Sequence, residues 1–165
     1  MMGLLADIVA TYRSPGAVMR RHLDGVRDEG RVLMYLLLAC CLSCLAQWPR
    51  LQREVSMDGS VALEIRIGGA LFGWMFIAPL AMYAVAFLAR VVAGALGGRG
   101  TGYSARLALF WSMLAVAPLG LVAGLVGGFI GPGPAAAIAG LAGYAVFCVI
   151  WWFSMVEAEA GGAFP

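Results

Sequence analysis

An all-α membrane protein is the fold class this chain predicts, and three observations carry it. Four apolar stretches of membrane-crossing length fill the sequence, at 32–48, 67–96, 105–130 and 134–156. The composition is 62% hydrophobic and 12% charged, too little polar surface to keep a soluble domain of 165 residues dispersed. No Lys, Asp or Glu lies well inside a stretch, and the one charge within, Arg90, sits near an end. In lipid every backbone N–H and C=O must bond inside the chain, so apolar stretches of this length become helices. A hydrocarbon core about 30 Å thick takes roughly 20 helical residues. The expected architecture is four transmembrane helices with an N-terminal amphipathic cytoplasmic helical arm. Residues 1–31 form the arm, 32–156 the transmembrane domain and 157–165 a short cytoplasmic tail.

The arm comes first. It is not a typical signal peptide, because its opening apolar run is short and Asp7 interrupts it. Leu37-Leu38-Ala39-Cys40 resembles a lipidation box, but its apolar lead-in starts only at Val32, behind a long charged region. Met1, Leu4, Leu5, Ile8 and Tyr12 fall at spacings that share one helical face. Ser14-Pro15 restarts a helix, with Ser14 as N-cap and Pro15 at the first helical position. Beyond it Val18, Leu23 and Val26 alternate with Arg20, Arg21, Asp24 and Arg27. A basic amphipathic segment beside a span is expected on the membrane surface, with Arg13, Arg20, Arg21 and Arg27 at lipid head groups. The plainer alternative is a solvated helix packed on the link between the second and third spans. His22, the only histidine, is expected at the surface.

Arginine counting orients the chain. All eleven basic residues are Arg. Arg13, Arg20, Arg21, Arg27 and Arg31 of the arm share a side with Arg90, Arg99 and Arg106. Arg50, Arg53 and Arg66 stand on the other side, offset by Glu54, Asp58 and Glu64. Eight against three puts both termini of a multi-pass protein in the cytoplasm. The loop 49–66 and the tight turn 131–133 then face outward. Trp48 and Trp151/Trp152 suit interfacial anchors.

Within the spans, 32–48 is just long enough to cross, and 67–96 is long enough to tilt, kink or protrude. Pro79 and Pro118 each sit mid-span and free the carbonyls of Met75 and Leu114. Such kinks can line a pocket, but neighbours commonly re-satisfy the freed carbonyl, and the latter reading is favoured. Small residues recur four apart: Gly69/Gly73 in the second span, Gly120/Gly124/Gly128 in the third, Ala136/Gly140 and Ala139/Gly143 in the fourth. That spacing brings them to one helix face and lets backbones approach closely. These faces hold the bundle together, and one is expected to remain for another copy of the chain or a partner membrane protein.

The absent groups narrow the function. Cys40, Cys41 and Cys44 lack the outer-loop cysteines a membrane thiol relay needs, and no His or carboxylate stands with them to hold a metal. No span carries a histidine for haem, nor an Asp, Glu or His for proton coupling. No phosphate-cradling glycine loop or Ser/His/Asp set occurs. The chain is therefore expected not to be an enzyme and to need no cofactor or metal, and nothing in it points to nucleic acid. Glu157 is expected to pair with Arg90 or Arg106 across the helix ends.

Several stretches carry a family likeness. Tyr12-Arg13-Ser14-Pro15-Gly16-Ala17-Val18-Met19-Arg20-Arg21 comes first, then Gly68-Gly69-Ala70-Leu71-Phe72-Gly73-Trp74 running to Ala78-Pro79-Leu80. Gly98-Arg99-Gly100-Thr101 and Ala105-Arg106-Leu107-Ala108-Leu109-Phe110-Trp111 then precede Ala117-Pro118-Leu119. Together they resemble the bacterial branch of the Yip1 family of small polytopic membrane proteins, over most of residues 10–155. The chain departs from that family's usual five spans in showing four. The resemblance implies a cytoplasmic N-terminus, a helical membrane domain and a role through association, with no catalytic residues to carry across.

The leading functional expectation is a non-enzymatic integral membrane protein that packs against itself, a partner membrane protein or membrane lipids. Two alternatives are an accessory subunit of a larger energy-transducing complex and a small-solute transporter using the Pro79 and Pro118 kinks.

Overall fold

A computed structural model describes residues 3–57 and 61–160; Met1, Asp58 and the tail beyond Ala160 lie outside the described residues. Among the described residues the fold is helical throughout, without a strand, and four helices are long and apolar enough to cross a membrane. This is the architecture of a multi-pass membrane protein.

Two short helices form the arm, α1 (Leu4–Thr11) and α2 (Pro15–Leu23), with Ser14 and Pro15 at the restart. The first span, α3 (Glu29–Met57), runs well past residue 48. Pro49 removes one helical hydrogen bond but does not stop the helix. Two further turns follow it, and Arg50 pairs with Glu54 across one of them at 2.8 Å. Much of the expected outer loop is thus helix.

The second span is built from α4 (Leu63–Phe72), a π turn (Gly73–Ile77) and α5 (Ala78–Ala95). The π turn ends just ahead of Pro79, which falls in the first turn of α5, and the Ala78 N–H bonds back to the Gly73 carbonyl across it. The third span, α6 (Gly102–Phe129), opens on a capping box between Thr101 and Ser104. It carries Pro118 without interruption. The Tyr12 hydroxyl donates to the Ala115 carbonyl at 2.7 Å, so the arm serves the backbone beside that proline. Gly131 turns the chain at φ +95°, and α7 (Pro134–Ala160) returns with proline in its first position. Helix α7 reaches Ala160, which puts Glu157 and Glu159 on its last turn rather than in a tail.

Helix α6 is the hub: α3, α5 and α7 all pack on it, while α4 and the π turn lean on α3. The core lies at one end. Its largest fully buried side chains are Trp111, Phe110, Met19, Leu36, Leu107 and Leu109.

The arm belongs to that core. Helix α2 packs on α7 and α1 touches α6. Ile8, Thr11, Val18 and Met19 are buried in the bundle, and Met19 is wholly inaccessible. Burying such a side chain contributes about 1.5–3 kcal/mol. The apolar face of α1 splits in two. Leu4 and Ile8 point inward, whereas Leu5 and Val9 are 77% and 62% exposed. His22 is buried rather than at the surface, because it lies three residues after Met19 on the docked face.

Candidate binding groove

At the end opposite the arm, the helices meet through backbone. A side-chain carbon at Gly124 would strike the Ala46 carbonyl, and one at Gly128 would strike Pro49. Glycine at these two positions is what lets α6 seat against α3. Helix α7 approaches α6 from the other side across the 131–133 turn. Between the three helices runs a groove of about 780 Å³. Gly120 and Gly124 of α6 and Ala136 and Gly140 of α7 wall it, and Ala46 closes it on α3. An added side-chain carbon at Gly120 or Gly140 would meet nothing within 4 Å. The volume falls within the range of small-molecule sites.

Four charged side chains surround the mouth. Arg53 sends Nη1 to the carbonyls of Phe129 at 3.2 Å and Gly128 at 3.4 Å. There a helix leaves acceptors unsatisfied and its dipole favours a cation. Its guanidinium lies so close to Gly131 that a side chain there would collide with Nη2 at 2.6 Å. The Arg53 Nε is buried without a hydrogen-bond acceptor. Glu54 is shared, taking Arg50 at 2.8 Å and Arg66 at 3.2 Å. Among the described residues that line the groove, three guanidinium groups and the Glu54 carboxylate stand at its rim.

The glycines singled out by spacing divide by surroundings. Gly124 and Gly128 are pressed against α3, and Gly143 just reaches Leu119 at 4.0 Å. A side-chain carbon added at Gly69, Gly73, Gly120 or Gly140 would meet nothing within 4 Å among the described residues. Of these, Gly120 and Gly140 face the groove.

The arm arginines divide too. Arg20 pairs with Glu157 at 2.7 Å and Arg21 with Asp7 at 2.5 Å, so each ties elements of the protein together. Arg13 and Arg27 stand exposed in the segments flanking α2. Glu157 therefore pairs with neither Arg90 nor Arg106, contrary to expectation. Arg90 meets Glu159 at 3.4 Å, and Arg106 meets Glu29. Two residues along a helix differ by about 200°, so Glu157 turns to the arm while Glu159 turns to α5 and accepts the Gly100 N–H at 2.9 Å.

Sequence reasoning missed a buried cluster beneath the arm. The Trp111 indole donates to Thr11 Oγ1 at 3.1 Å, and its ring lies 4.4 Å from His22 and 5.2 Å from Tyr35 between centroids. Burial holds the His22 imidazole below its ordinary 6.5; Asp7 opposes that shift, while Arg31 and Arg21 reinforce it. The 3.9 Å from His22 Nε2 to Asp7 is too long for a hydrogen bond. The available signal was the i, i+3 spacing of Met19 and His22 on an otherwise charged helix. Of the cysteines, Cys40 is buried, Cys41 exposed and Cys44 half-buried, all free thiols. Among the described residues no cluster of His, Cys, Asp and Glu could hold a metal ion.

No family model matches the chain, and neither a curated protein nor a solved structure does.

Proposed function

We propose that this chain is a non-enzymatic membrane protein that works by lateral association in the bilayer, taking another membrane component into the groove between α3, α6 and α7. One observation carries the reading. Gly120 and Gly140 line a groove of about 780 Å³ and have open space where a side chain would stand. Apolar walls left open toward lipid lose contact energy unless something fills them. Small residues are the ones that allow close approach there.

The arm faces the cytoplasm of a bacterial cell in this reading, and the groove mouth faces outward. The support is the arginine count, eight at the arm end against three at the groove end. The likeness to the Yip1 family's bacterial branch agrees with such an associating role.

Filling the groove tests the proposal. Protein released from its membranes in mild detergent should carry bound mass in a native mass spectrum. Gly140→Leu should lose that mass while keeping its unfolding temperature. The same bound mass in both proteins would overturn the reading. A compartment-sensitive reporter fused after Ala160 checks the orientation and should report the cytoplasm.

A further inference from the structure

We infer that the component held in the groove is an anionic phospholipid, its phosphate on the arginines at the mouth and an acyl chain along the glycine wall. The inference rests on the lateral-association reading and names the ligand class of that same site. Charge selects it. Arg50, Arg53 and Arg66 line the groove, and among its described lining residues Glu54 is the one carboxylate.

Two of the three guanidinium groups suit a phosphate particularly well. Arg50 has a side chain 68% exposed beside its carboxylate partner, so it can add a phosphate oxygen without losing Glu54. Arg53 has a buried Nε with no acceptor, although its Nη1 is committed to the end of α6. Guanidinium donors match phosphate oxygens in geometry and charge. Below the mouth the walls turn to Ala46, Gly120, Ala123, Ala136 and Gly140, with Gln47 the one uncharged polar side chain among the lining residues. Walls of this kind suit a hydrocarbon tail. A docked transmembrane helix would fill the same walls, but it would gain nothing from a cationic rim. An amphiphile with an anionic head matches both halves of the site at once.

The probe is purified full-length protein titrated with phosphatidylglycerol or phosphatidylcholine and read by native mass spectrometry. The wild type should retain phosphatidylglycerol in preference to phosphatidylcholine. Arg50→Gln removes an exposed cation and keeps a side chain of similar length, and the double variant Arg50→Gln/Arg66→Gln removes the second cation. The preference should fall about tenfold in the double variant, and by less in the single one. Gly140→Leu should lower retention of both lipids. If Gly140→Leu strips bound mass while the arginine variants keep the full preference, the anionic lipid is wrong and lateral association survives. If a cysteine introduced at Gly140 crosslinks to a polypeptide instead of a lipid, a helix occupies the groove and the inference falls. Unchanged retention in Gly140→Leu would overturn both readings together.

Discussion

The two ends of this bundle are assembled by opposite means. Near the arm, large side chains are fully buried, and carboxylates tie separate elements together: Asp7 to Arg21, Glu29 to Arg106, Glu157 to Arg20 and Glu159 to Arg90. Near Arg53, helices touch through glycine and proline, and a groove is left between them. The buried residues of α3 stop at Cys40, those of α7 begin at Ile150, and α6 has only Gly128 buried beyond Ala117. Helices surrounded by lipid have no hydrophobic drive toward one another. The arm supplies one at its own end by bringing water-facing helices whose apolar side chains gain from burial. Among the described residues the opposite end has no such element, and a groove stays open between its helices.

Substitutions can break that contrast. The largest effect should come from Trp111→Ala, which removes a fully buried ring packed on His22 and Tyr35 and the donor to Thr11. A loss of about 3–5 kcal/mol is expected, read as a lowered unfolding temperature in detergent. A much smaller loss would mean the arm end is not the stable one. At the other end Gly124→Ala drives a methyl into the Ala46 backbone and should cost about 1–3 kcal/mol. In the same assay Gly120→Ala, which meets nothing, should gain about 0.5–1 kcal/mol from helix propensity. If the two glycines respond alike, the close approach of α3 and α6 is not there.

Acid sharpens the comparison at the arm end. His22 binds a proton less readily in the fold than the ordinary 6.5 of an exposed imidazole. Above that value both folded and unfolded chains hold it neutral, and its contribution is complete. As pH falls below it, the unfolded chain takes up a proton the fold resists, so stability declines. His22→Gln should flatten that part of the profile, and parallel profiles for the two proteins would remove His22 from the account. The smallest effect is expected from Arg20→Ala. Its side chain is 61% exposed, so loss of the Glu157 pair should cost under about 1 kcal/mol. Faster proteolysis between α2 and α3 would report a loosened arm.

The four spans were legible because lipid imposes a simple rule on apolar stretches. The helix restart at Ser14-Pro15 was equally legible from local geometry. What the arm rests on was not. A face of Ile8, Val18 and Met19 is equally content against acyl chains or against Trp111 and Leu36, since amphipathic spacing reports that a face is apolar and not what covers it. The end of α3 was misplaced for a related reason. Trp48-Pro49 reads as a boundary, yet Glu54 recruits Arg50 along the helix and Arg66 from α4, and the helix persists. Spacing found the glycines but could not sort them. Whether Gly124 or Gly140 meets a neighbour depends on how the helices are rotated, which their own sequences leave open.

The π turn at Gly73–Ile77 sets one such rotation. A turn of this kind holds one residue more than the α-helix around it. Each helical residue advances the chain by about 100°. Deleting a single residue between 73 and 77 would return the span to uniform winding and swing α4 by about that angle relative to α5. Arg66 would leave Glu54 and the groove mouth, while Tyr83 could keep its place against Phe110 at 5.1 Å on the far side of the turn. The span is a dial with one setting, and a frame-preserving deletion of three bases would turn it.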